Sequence, residues 1–167
     1  MLTYFVIIIL LVAFAAIGIR ALIKERINKR KQLRMAEAYD RFVKQFKLAV
    51  DYSEFLCDRY IGLDRKNKKL ILIDHSGYEK QEQCVCLQEV GESKIIHTKD
   101  EDQSIKSVLL ELRNKRNNKP VQFCFYSKDH DPLVELPSLS RKAIHWKTKV
   151  DIHKHPGNVR VEAEYVL

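Results

Sequence analysis

The sequence predicts an α+β protein in which a helical N-terminal part leads into a small antiparallel β-barrel or sandwich, capped by one C-terminal helix. Three observations predict this. Leu2 to Ile19 (LTYFVIIILLVAFAAIGI) contains no charge and no proline, and Ala21 to Arg59 contains neither glycine nor proline. From Tyr60 the apolar residues alternate in short runs divided by polar turns, and helical spacing returns only at Leu139.

As a helix, the first run covers about 27 Å, close to the ~30 Å hydrocarbon thickness of a bilayer. It reads as a transmembrane anchor over residues 1–23. No Lys or Arg precedes it and seven follow at once: Arg20, Lys24, Arg26, Lys29, Arg30, Lys31 and Arg34, against the single acid Glu25. Positive charge flanking a span stays on the cytoplasmic side. The expectation is therefore a single-pass protein of the cell (inner) membrane, N-terminus outside and C-terminal domain cytoplasmic. A cleaved signal peptide competes, with Ala13-Phe14-Ala15 as its cleavage site, but a basic n-region is missing. On the reducing side, Cys57, Cys84, Cys86 and Cys124 are expected as free thiols.

Residues 24–59 read as one basic and amphipathic helical stalk. Between Arg20 and Arg34, seven cations and one acid supply six of the net charge of +8, so the remainder is nearly balanced. That balance disfavours a domain whose whole surface reads nucleic acid. The cations are expected to contact an anionic phospholipid surface, each contributing on the order of 1 kcal/mol. In the second half, Met35, Tyr39, Phe42, Phe46 and Ala49 recur in four- and three-residue steps, continued at Leu56. This face either packs on the following domain or meets a partner helix, as in a parallel homodimer through residues 35–56.

Residues 60–167 read as the β-rich domain. Tyr60–Asp64 and Lys69–Asp74 form strands around a polar turn, Cys84–Val90 a third strand and Lys94–Thr98 a fourth. Ile105–Arg113 fits either helix or strand. The Asn114–Pro120 turn and the alternation of Val121, Phe123 and Phe125 favour a hairpin. Leu139, Ala143, Trp146 and Val150 then share one face of a helix capped by Ser138 or Ser140 and stopped by Pro156-Gly157. Val159–Leu167 is a last strand or an extended tail.

Reactive constellations are weak. Cys84-Val85-Cys86 with His153 and His155 has ligand types for zinc but not the usual C-x₂-C spacing. Asp74-His75-Ser76 contains triad residue types inside one turn, without a nucleophile elbow. Asp129-His130-Asp131-Pro132 is a loop, and phosphate-cradling and dinucleotide motifs are absent from the sequence. Neither enzymatic activity nor a cofactor or metal is expected.

Strands Ile61–Asp74 and Cys86–Ile96, the hairpin Val108–Tyr126 and the Trp146 helix resemble, in their order, bacterial pleckstrin-homology-like domains. Six strands are counted where that fold has seven. The resemblance implies a partly open two-sheet barrel under the helix, and a lipid- or protein-binding scaffold without catalysis. The function expected is therefore a membrane-anchored, non-catalytic scaffold or regulatory protein at the inner leaflet, with an unidentified protein partner. The alternative is a membrane-tethered nucleic-acid binder that uses the basic stalk.

Overall fold

The helix that begins at Leu2 runs unbroken to Phe46 (α1, Leu2–Phe46), about 68 Å in a computed structural model. The structure describes residues 2–56, 58–77 and 80–154, with side chains from Gly18 onward except those of Ala21, Lys24, Ile27 and Asn28. The apolar N-terminal run is thus the opening part of a longer helix that becomes strongly charged from Arg20. Among the described residues no helix is long and apolar enough to cross a membrane. This corrects the transmembrane anchor of residues 1–23, and with it the single-pass orientation and the inner-membrane location.

The stalk also ends earlier than expected. Lys47 takes a left-handed conformation (φ 49°). Leu48 N–H donates to the Val43 carbonyl (3.0 Å) and Lys47 N–H to the Lys44 carbonyl (3.4 Å). These two bonds make a Schellman ending in which a lysine stands where glycine is usual, and the buried Leu48 closes it against Val43. The chain then enters a strand the sequence had assigned to helix.

Seven strands follow: β1 (Tyr52–Leu56), β2 (Arg59–Asp64), β3 (Lys69–Asp74), β4 (Gln81–Cys86), β5 (Val90–Lys99), β6 (Ile105–Asn114) and β7 (Pro120–Ser127), with α2 (Leu136–Lys154) last. They form two antiparallel sheets, β1-β2-β3-β4 and β5-β6-β7. The sheets are separate, so the expected β-barrel or sandwich, read as a partly open barrel, is corrected to two open layers. Residues 105–113 are strand, and Gly91–Ser93, between the expected third and fourth strands, lie within β5. Val159–Leu167, Pro156-Gly157 and His155 lie outside the described residues.

The core sits between the sheets and α2. From β2 and β3, Ile61, Leu63, Leu70 and Leu72 point into it, meeting Val108, Leu110, Leu112, Phe123 and Phe125 of the second sheet. Leu139, Ala143, Trp146 and Val150 close the third side. The Trp146 indole N–H donates to Glu54 of β1 (2.8 Å), which also pairs with Lys142 (2.8 Å), so α2 is tied to the edge of the first sheet.

The opposite face of the first sheet is covered too. Tyr60, Ile71 and Ile73 point away from the core, and Met35, Phe42 and Leu48 bury them in a second apolar cluster. All six residues of β2 are buried as a result. Gly62 belongs to this arrangement: a Cβ there would lie 2.7 Å from the Tyr60 hydroxyl, so the ring lies flat only over glycine. α1 runs in the same direction as β2, since Lys31 meets Asp58 (2.6 Å) before β2 and Ala49 N–H reaches Asp64 (2.8 Å) at its end. Residues 18–30 therefore project beyond the start of β2.

On the outer face of the second sheet, Glu111 accepts bonds from Gln122 (2.7 Å) and Arg113 (2.8 Å), with Lys94 at 3.3 Å. The Gln122 and Arg113 bonds hold its carboxyl down to about 2, against an ordinary 4.5. A depressed folded-state value stabilises above the unfolded value and is lost as pH falls through the folded one. Wild-type stability is thus expected to fall between about pH 4.5 and 2 by more than that of Glu111→Gln. Urea titrations across that window check this, and parallel profiles would refute it.

Candidate binding surface

The basic segment of α1 and the loops at the start of β2 form one continuous surface. Arg20, Arg26, Lys29, Arg30, Lys31 and Arg34 are all exposed; the Lys24 side chain lies outside the described residues. Lys29 pairs with Glu25 one turn away (2.8 Å), and Lys31 pairs with Asp58. Arg20, Arg26, Arg30 and Arg34 pair with no acid among the described residues. Such an unbroken helix fixes the spacing of these guanidinium groups, which a flexible arm of the same composition would not.

Where the helix meets the sheet it borders a half-open groove of about 410 Å³. Lys31, Arg34, Met35 and Arg41 of α1 line one wall, and His75, Ser76 and Lys80 after β3 line the other. Glu37 and Asp58 are the acids in the lining. Arg41 is held by Glu82 (3.0 Å), which also contacts the His75 ring (3.1 Å). Arg34 and Lys80 have no acidic partner among the described residues. The local balance is thus four cations to two acids, suited to binding an anionic group by charge-assisted hydrogen bonds.

The predicted packing face divides in two. Met35 and Phe42 are buried on the sheet and Tyr39 packs at a tilt against Tyr60, centroids 4.7 Å apart. Phe46 leans on Phe42 but stays 37% exposed, and Ala49 is exposed beyond the helix end. The face a parallel coiled coil would need is the one covered by β2 and β3.

The thiol and triad candidates are not brought together. Cys84, Cys86 and Cys124 are free, and Cys57 lies outside the described residues. Burial pushes the Cys84 thiol up and that of Cys124 to about 11, so both stay protonated at neutral pH. His153 sits near Arg65 and Asp51, and burial and Arg65 push it below its ordinary value. No group of three His, Cys, Asp or Glu side chains is arranged to hold a metal among the described residues. Asp74 accepts bonds from both the amide (2.9 Å) and hydroxyl (2.6 Å) of Ser76, an Asx turn.

Two features of this end of the molecule escaped the sequence. Arg59 and Asp131 form a buried ion pair, and Arg59 also donates to the Cys124 carbonyl (3.1 Å). The exposed doublet Leu133-Val134 follows directly. Its sequence signal was an apolar pair standing before, and out of step with, the helical stripe that starts at Leu139. Comparison with protein families, with curated proteins and with solved structures finds no match.

Proposed function

We propose that this protein is a non-catalytic binding module whose basic helix and adjoining groove engage an anionic phospholipid surface. One observation carries the reading: Arg20, Arg26, Arg30 and Arg34 are exposed without acidic partners on a rigid helix that continues into the groove bearing Lys80. Adjacent polybasic surface is attracted to anionic headgroups at about 1 kcal/mol per cation, within a Debye length. The β domain then serves as the body held by this helix. Seven strands in a four-plus-three arrangement with a helix after the last support a pleckstrin-homology-like reading, in which a scaffold role follows by analogy of fold.

The test compares phosphatidylserine–phosphatidylcholine vesicles with phosphatidylcholine alone at physiological salt. Full-length protein is expected to bind the anionic vesicles more tightly. Arg26→Gln/Arg30→Gln/Arg34→Gln is expected to lose about 3 kcal/mol, roughly 100-fold. Equal binding to both vesicle types defeats the proposal. Tight binding of duplex DNA or structured RNA instead, lost in the same variant, transfers the surface to nucleic acid.

A further inference from the structure

The basic helix does not leave the domain alone. It projects past the start of β2, where Asp58 holds Lys31 and accepts the His75 amide at its carbonyl (2.9 Å). Arg59, the next residue, is bonded to Asp131 of the loop between β7 and α2. Asp131 in turn accepts the Ser127 amide (2.8 Å), closing that loop on itself. Two residues further, Leu133 and Val134 are 69% and 85% exposed, the two most exposed of the large apolar residues described. A chain of ion pairs and hydrogen bonds thus links the exit of the helix to an uncovered apolar doublet at the same end of the domain.

That exposure is not required by the loop. Leu133–Glu135 form one 3₁₀ turn that runs directly into α2, and the Glu135 amide bonds to the Pro132 carbonyl (2.9 Å). The turn is therefore ordered, and it presents its two largest apolar side chains to solvent. Neighbouring acids are mostly engaged: Asp131 by Arg59, and Asp100 and Asp102 by Lys128 (2.8 and 3.8 Å). Glu135 is half-buried and Asp129 is exposed. Positive charge at this end of the domain comes from the exposed Arg20, Arg26 and Arg30 of the projecting helix.

We infer that Leu133 and Val134 form an insertion tip that enters the headgroup–acyl boundary of the anionic phospholipid surface met by the basic helix. This rests on the function proposed above and adds a second, apolar point of contact. Cations draw the domain down, and the doublet then removes two aliphatic side chains from water. Apolar burial and headgroup attraction acting together give firmer interfacial binding than either alone. The buried Arg59–Asp131 pair fixes the tip against β2, so helix and tip approach the surface as one body.

The test places a reporter on the tip. Val134→Trp alters a position with ample space, and the native Trp146, 1% exposed, gives a constant background. With phosphatidylserine-containing vesicles, the indole at position 134 is expected to shift to the blue and to be quenched by lipids brominated near the headgroup. Leu133→Ser/Val134→Ser is expected to lose about tenfold in affinity for anionic vesicles, less than complete burial of both side chains would give. Vesicle binding of full-length protein with no change in indole emission overturns the inserted tip and leaves the basic-helix reading standing. Absence of any preference for anionic vesicles overturns both. A blue shift produced equally by neutral vesicles also overturns the inference, because the cations would then have no part in placing the tip.

Discussion

Asp131→Ala is expected to lower the unfolding free energy by about 3–5 kcal/mol, the loss typical when one member of a buried ion pair is removed. Arg59 is 1% exposed and Asp131 6%, so the orphaned guanidinium would have no route to water without moving β2 or the loop after β7. Its Nε already lacks a partner, and the Cys124 carbonyl would be its main remaining acceptor. With a urea m-value of about 2 kcal/mol/M, the midpoint should fall by roughly 2 M. The double change Arg59→Met/Asp131→Leu separates the cost of an uncompensated charge from the value of the pair. Replacing a buried pair by apolar groups of similar volume is often neutral or stabilising. The double variant is therefore expected to recover most of the loss. If it unfolds as easily as Asp131→Ala, the pair's geometry and the Ser127 amide bond matter more than charge neutralisation.

The same pair illustrates what a linear reading misses. Its members stand 72 positions apart, and the sequence places Arg59 at the end of a helix and Asp131 in the Asp129–Pro132 loop. Nothing local distinguishes a buried arginine from a solvated one; only the fold brings β2 beneath the end of β7. Lys69–Asp74 was legible as a strand because β-branched and apolar residues fill it between polar turns. Its unusual feature, apolar residues on both faces, became explicable only once α1 was seen to cover Ile71 and Ile73. The Leu139, Ala143, Trp146 and Val150 stripe was legible in full, because helical spacing survives when one face packs on a core.

The end of α1 was illegible for a specific reason. Sequence signals for helix termination are glycine and proline, and here a lysine adopts the left-handed conformation instead. Leu56 compounded the error: it falls in step with the helical stripe, yet it is a core residue of β1. The apolar run at the N-terminus had the length of a bilayer span, but a length match alone does not make an anchor. Among the candidate surface residues, the cations were visible as a run. The Lys29–Glu25 pair lies one turn apart on the helix, but the pairing of Lys31 depends on Asp58, which only folding brings close.

Phe42→Ala is expected to cost about 3–5 kcal/mol, as for a buried aromatic truncated to alanine in a site that collapses only partly. The ring is 5% exposed in the cluster that joins α1 to Tyr60, Ile71 and Ile73. Because that cluster lies outside the main core, the loss should appear first as release of the helix. Amides of residues 35–46 are expected to exchange faster with solvent, while those of Leu139 to Val150 keep their protection until global unfolding. Equal acceleration in both helices would mean that the two clusters unfold as one unit. The consequence for binding follows from rigidity. A released helix still carries Arg26, Arg30 and Arg34, so its electrostatic attraction persists. The Leu133–Val134 tip, however, would be tethered to it flexibly, and two contacts joined by a flexible link act through a lower effective concentration than two held in one body. The variant should therefore retain its preference for anionic vesicles but lose the blue shift of an indole at position 134.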